Sequence, residues 1–275
     1  MLILPLMIFL ELILNFNSET GLRMKLMSLY YSNKEIDICF YGDSQSQLNF
    51  NYATLKDEFP DLTFYNFSHP GFSISNIITF YPKNTFNCKL NIVNLHELTM
   101  SNDMINDNRS SYIWSSLTLF NLLRPSDVLT SFKNLYIGII NKRTLRKGFY
   151  NIEGNLNYDP LEIIDQYNIL RLKSSSEEEI KKLIPNINDK EMLFIIHPHR
   201  KLIKEYIKNK IGESFLTKIH EKYLLDYEIL NFRKIDISEN LFFDNTHLNA
   251  KGSIFYTKIF IDSLKNKNSF NKLFE

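Results

Sequence analysis

Two short stretches of the chain hold side chains suited to acyl chemistry. In "DICFYGDSQSQLNF", residues 37–50, Ser44 follows an apolar run and a glycine. In "FFDNTHLNAKG", residues 242–252, Asp244 and His247 are three residues apart. A serine hydroxyl is a weak nucleophile until a base takes its proton, and an imidazole serves as that base when a third group fixes its tautomer. An Asp-x-x-His step on a tight turn offers such a pair: the carboxylate accepts from one ring nitrogen and leaves the other facing a serine. Each stretch also has a plainer reading. Asp and Ser are ordinary helix N-cap residues, and Asp244 can cap a turn beside a surface histidine.

Groups so far apart in the chain need a frame that brings them together. "EIDICFYG" reads as a first strand, "QSQLNFNYATLKDEF" as a helix, "LTFYNFS" as a second strand ended by His69-Pro70-Gly71, "SISNIITFYP" as a helix and "KLNIVNLHEL" as a third strand. The alternation then stops. Residues 104 to about 188 contain "SSYIWSSLTLFNLL", "SDVLTSFKNLYIGIINKR" and "SSSEEEIKKLI", which read as a helical insertion. The sheet resumes with "EMLFIIHPH" and the helix "RKLIKEYIKNKI", and "HEKYLLDYEILNF" supplies a further helix and strand. After the loop "IDISENLFFDNTHLN" comes a last helix, in which Ile254, Lys258, Ile261 and Leu264 recur at helical spacing, with Phe255 and Ile259 widening the apolar face. Strands alternating with helices predict a three-layer α/β/α, flavodoxin-like parallel sheet of about five strands over residues 34–265, with the insertion between its third and fourth strands. Ser44 then stands at the carboxyl edge of the sheet, where ligands bind in open α/β folds.

The 275 residues include 32 Lys and Arg against 31 Asp and Glu, a net charge of +1 that provides no basic field for nucleic acid. Cys39 and Cys88 fall in or beside strands and lack the spacing of a zinc site. They are expected to be small buried hydrophobes, with no disulfide framework. The segment 1–28 begins "MLILPLMIFLELILNF", an apolar run interrupted by Pro5 and Glu11 and shorter than the roughly 20 residues that span a bilayer. It lacks a positive n-region, and Arg23 and Lys25 follow the apolar run rather than precede it. A shortened signal-anchor, an interfacial helix and a helix packed on the domain all fit it.

Taken together, "IDICFYGDSQSQLN", "FIIHPHRKLIKEY" and "FFDNTHLNAKGSIFYTKIF" resemble the SGNH/GDSL hydrolase superfamily, and especially its extracytoplasmic branch, which includes proteins of alginate O-acetylation and teichoic-acid D-alanylation. The resemblance implies that Ser44 is the nucleophile, His247 the base and Asp244 the group that orients it, with Asp43 part of the turn only. It implies oxyanion donors at the amides of Ser44 and Gly71. The family's third donor, an asparagine after the third strand, has no match in "NIVNLHELTMSND": Asn94 lies in the strand, Asn102 comes late, and His96 and Glu97 stand nearer the position. His197 and His199 flank Pro198 at a strand end, as pocket lining or as a structural turn, and no further ligand beside them suggests a metal.

The implied activity is serine-dependent acyl-ester chemistry, as O-acyltransferase or esterase, on a cell-envelope polysaccharide or related polymer, without a cofactor. The implied partners are a glycan or other acyl-ester substrate and, for a transferase, a membrane-bound acyl donor. The implied location is membrane-associated and extracytoplasmic, with membrane contact through residues 1–16. The departure at the third strand keeps a second expectation open: a catalytically weak assembly or binding component of an envelope-polymer modification machine.

Overall fold

A computed structural model describes residues 35–69, 72–80, 85–96, 144–146, 149–152, 172–210 and 215–274. The expectations placed on residues 1–28, and on the two helical stretches between 110 and 143, lie outside them. The described strands are, in chain order, β1 (Ile38–Tyr41), β2 (Phe64–Asn66), β3 (Leu90–Asn94), β4 (Thr144–Arg146), β5 (Phe149–Asn151), β6 (Met192–Ile196) and β7 (Glu228–Asn231). Five of them form one parallel sheet in the order β2-β1-β3-β6-β7. With β6 and β7 as its fourth and fifth strands, this is the doubly wound flavodoxin-like order.

These strands are short and apolar on both faces because both faces are covered. Cys39, Tyr41, Val93, Phe194 and Ile196 point into one core, which is closed by Ile74, Ile77, Ile180, Leu183, Leu216 and Ile219. Ile38, Phe40, Ile92, Leu193 and Ile195 point into the other, against Tyr52, Leu55, Tyr256, Phe260 and Leu264. The helices α1 (Ser44–Leu48), α2 (Tyr52–Glu58), α3 (Ile74–Phe80), α4 (Leu172–Ile187), α5 (Lys201–Lys210), α6 (Phe215–Tyr223) and α7 (Ala250–Leu264) supply those layers and the connections between strands.

Four local features differ from the sequence reading. The helix expected over residues 45–59 is two helices, because Asn49 ends α1 and Asn51, whose own amide is held by Thr257 Oγ1 at 2.9 Å, starts α2 by accepting the Thr54 amide at 2.9 Å. Helix α7 buries Tyr256, Thr257, Phe260, Ile261 and Leu264, while Ile254 and Phe255 face outward. Aromatic packing of Tyr256 and Phe260 on Phe50 and Phe232 outweighs the stripe read from spacing.

The insertion contains an antiparallel hairpin, β4 with β5, as well as the helix α4. Its Phe149 is fully buried, with ring centroids 5.2 Å from Phe40 and 5.6 Å from Tyr52, so the insertion is rooted in the core. Finally, Cys39 and Cys88 are joined in a disulfide, Cα to Cα 5.9 Å, which corrects the expectation of two unlinked cysteines. The parallel pairing of β1 with β3 puts Ile38 opposite Leu90, so a residue just before β3 falls beside one in β1. A separation of 49 residues gives no hint of that proximity.

Phe149→Ala should cost about 3–5 kcal/mol of unfolding free energy in a urea titration, the usual range for emptying a buried aromatic site. A loss under about 1 kcal/mol would mean that the hairpin is not seated in the core.

Candidate active site

The turn after β1 is shaped by a close approach. A Cβ on Gly42 would lie 2.6 Å from Asn94 Cβ and 2.6 Å from Ser46 Oγ, so β3 and α1 can close on the turn only over a glycine. Asp43 then caps α1, its Oδ1 accepting the Gln45 amide at 2.9 Å, which sets Ser44 as the first helical residue. The end of β2 is tied to the same turn: the His69 amide donates to the Gly42 carbonyl at 3.1 Å, and Asn66 Nδ2 donates to the Ser46 carbonyl at 2.7 Å. Among the described residues no acceptor takes the Ser44 amide, which leaves it free to face a developing negative charge.

The second stretch forms a pinched loop. A bridge between Phe242 and Leu248 closes it, and the Phe243 amide donates to the His247 carbonyl at 2.8 Å. Asn249 caps α7 by accepting the Gly252 amide at 2.9 Å, and Gly252 packs on the Leu241 carbonyl with no room for a Cβ. Inside the loop Asp244 does cap the turn: its Oδ1 accepts the amides of Thr246 and His247, each at 2.8 Å. Its Oδ2 faces His247 Nδ1 at 2.6 Å. Burial works against ionisation of this carboxyl, yet the bonds from His247 and from the two amides outweigh it and hold its pKa below the ordinary value. The carboxylate accepts only, so Nδ1 carries the proton and Nε2 is an acceptor. Ser44 Oγ lies 2.7 Å from that Nε2. The structure therefore brings Ser44, Asp244 and His247 together, and Asp244 caps its turn while also bonding His247.

A buried polar network surrounds them. Asp43 Oδ1 also accepts Asn94 Nδ2 at 3.0 Å, and its Oδ2 lies 3.3 Å from His96 Nδ1. Burial pushes the Asp43 pKa up, but the hydrogen bonds from His96 and the Gln45 amide help to hold it below the ordinary value. Asn94, the last residue of β3, thus turns its side-chain amide to Asp43, two residues short of His96. His197 stands between Ser46 Oγ and the Tyr256 hydroxyl, 3.0 Å from each. Gln45 Nε2 donates to His199 Nδ1 at 3.2 Å. Both histidines are about 1 % exposed, so they are enclosed struts between the sheet and α1. Burial drives His197 down to about 3 and His199 well below its ordinary value. Gly71 and Glu97 lie outside the described residues. Among the described residues, no group of three or more His, Cys, Asp or Glu is arranged to hold a metal ion.

Sequence reasoning missed Gln45, Ser46 and Tyr256. The available signal was the polar run "SQSQLN" in a helix that the fold has to bury: Gln45, Ser46 and Gln47 are each about 1 % exposed. No protein-family model matches the chain, and no curated protein matches it.

The two enclosed histidines make stability depend on pH with a definite sign. The unfolded chain binds protons at His197 from its ordinary value of 6.5 downward, whereas the folded chain does so only near 3. Unfolding is therefore favoured as pH falls through that window, by up to about 1.4 kcal/mol per pH unit for each such histidine. Urea titrations at pH 6.5, 5.5 and 4.5 should show this decline, and His197→Gln should flatten it. An unchanged slope in the variant would show that His197 titrates normally in the fold.

Proposed function

We propose that the chain carries out serine-dependent acyl-ester chemistry, as an O-acyltransferase or esterase. The single observation that carries this reading is the continuous line from Asp244 Oδ2 to His247 Nδ1 at 2.6 Å and from His247 Nε2 to Ser44 Oγ at 2.7 Å. Ser44 Oγ attacks the acyl carbon while His247 Nε2 takes its proton. The carbonyl oxygen becomes an oxyanion facing the Ser44 amide, with Gly71 as the second proposed donor. Collapse breaks the ester C–O bond, and His247 returns the proton to the departing alkoxide. Water or a sugar hydroxyl then attacks the acyl-serine, gives its proton to His247, and a second collapse restores Ser44. Asp244 stays ionised throughout and offsets the imidazolium charge.

The resemblance to the SGNH/GDSL superfamily supports a glycan or related envelope polymer as acceptor. The Cys39–Cys88 disulfide supports an oxidising, extracytoplasmic compartment. A second reading, a catalytically weak component of an envelope-polymer machine, draws on one feature: the sequence after the third strand has no asparagine at the family's position, and Asn94 within that strand turns its side-chain amide to Asp43.

Ser44→Ala should abolish both hydrolysis of small acetyl esters and labelling by a fluorophosphonate, with the thermal melt nearly unchanged. Asp244→Asn should lower kcat by about 10⁴ through the wrong imidazole tautomer. A wild-type protein that neither labels nor turns over esters would favour the second reading, and a Ser44→Ala variant with more than a few per cent of activity would remove the nucleophile.

A further inference from the structure

The line from Ser44 to His247 joins two separate pieces of chain, the start of α1 and the loop before α7. The bonds inside that loop fix His247 relative to Asp244 only. What fixes the loop relative to α1 is a pair of hydrogen bonds on either side of His247. The Leu248 amide donates to Asn49 Oδ1 at 3.0 Å, and Gln45 Nε2 donates to the Thr246 carbonyl at 3.3 Å. Both partners belong to the helix that begins with Ser44: Gln45 is the next residue, and Asn49 is the C-cap. Asn49 is fully buried, and among the described residues its Nδ2 has no hydrogen-bond partner. A buried amide that leaves its donors unsatisfied costs stability, so its acceptor bond is the feature that accounts for an asparagine at this place.

We infer that Asn49, assisted by Gln45, is a positioning residue that holds the imidazole of His247 at bonding distance from the Ser44 hydroxyl; this rests on the acyl-transfer reading above. The geometry is a clamp. The nucleophile's own helix grips the residue before and the residue after the base, so any slide of the loop along α1 must break one grip. Proton transfer falls steeply with misalignment, and a displacement on the order of 1 Å costs about 100-fold in rate. Asn49 touches no reacting atom and acts through Leu248. Only its oxygen is used, so an aspartate, which keeps an oxygen at Oδ1, can replace it in kind, whereas a leucine of similar size cannot.

The test compares Asn49→Leu, Asn49→Asp and Gln45→Met with the wild-type chain. For folded Asn49→Leu, kcat for 4-nitrophenyl acetate should fall by about 100-fold with KM nearly unchanged, and the rate of fluorophosphonate labelling should fall in step. Asn49→Asp should recover most of that loss, and Gln45→Met should show a smaller fall, since its bond is the longer. A merely structural asparagine would lower the melting temperature and leave kcat of the folded protein unchanged. Folded Asn49→Leu within twofold of wild type in both rates overturns the clamp. Should Asn49→Leu fail to fold, Gln45→Met with unaltered rates and Asn49→Asp with no activity would overturn it equally. The imidazole nitrogen resonances of His247 separate this result from the wider reading. If the wild type neither labels nor turns over ester, the acyl-transfer reading fails, while a shift of the Nε2 resonance in Asn49→Leu or Gln45→Met still upholds the clamp and its absence refutes it.

Discussion

Burial of a short polar helix at the carboxyl edge of the sheet is the constraint around which this structure is organised. Helix α1 is only five residues long, and Gln45, Ser46 and Gln47 are removed from water. A buried polar group without a partner costs about 1–3 kcal/mol, and the surrounding elements supply partners to Gln45 and Ser46, while Gln47 Nε2 has none among the described residues. Asn66 reaches in from β2, Asp43 and Asn94 from the ends of β1 and β3, His197 and His199 from the end of β6, and the Asp244–His247 loop from before α7. Four of the five strands of the sheet contribute one or two polar groups at their ends, and these converge on α1 or on Asp43, its N-cap. The carboxyl edge is thereby one hydrogen-bonded unit, although its members are scattered from residue 43 to residue 256.

That arrangement explains why two carboxylates of similar chemistry have different surroundings. Asp43 is enclosed and shared among a backbone amide, Asn94 and His96, so it acts on the shape of the turn. Asp244 is partly open and spends one oxygen on its own loop and the other on His247, so it acts on the imidazole. The histidines divide in the same way. His197 and His199 are held neutral by burial and serve as fixed links, while His247 sits at the outer end of the network with one nitrogen toward Ser44. The proposed chemistry uses the half-buried Asp–His pair and leaves the fully buried one to hold the frame.

The insertion is part of this unit as well. Phe149 fills the core beneath β1, Ile152 packs on Leu48 of α1, and the Ile152 carbonyl accepts the Ala250 amide at 2.8 Å. The last of these satisfies one of the free N–H groups at the start of α7, directly after the loop that carries His247. A chain segment that interrupts the sheet in sequence thus supports both stretches of the site in space.

The sequence by itself determined the strand and helix alternation, the parallel sheet with Ser44 at its carboxyl edge, and the choice of Asp244 and His247 as a pair. These rest on local signals: an apolar run ended by Gly42, and two polar groups three residues apart on one turn. It did not determine the break of the helix at Asn49 and Asn51, the outward turn of Ile254 and Phe255, the Cys39–Cys88 link, or the grip of Gln45 and Asn49 on the His247 loop. Each of these depends on which distant residue lies alongside: Thr257 on the Asn51 amide, Phe50 on Tyr256, β1 beside β3, Leu248 over Asn49. Periodicity and spacing describe what a segment can bury or bond within a few residues of itself. The partners that decided these features are 49 to 206 residues away, and only the folded sheet brings them within reach.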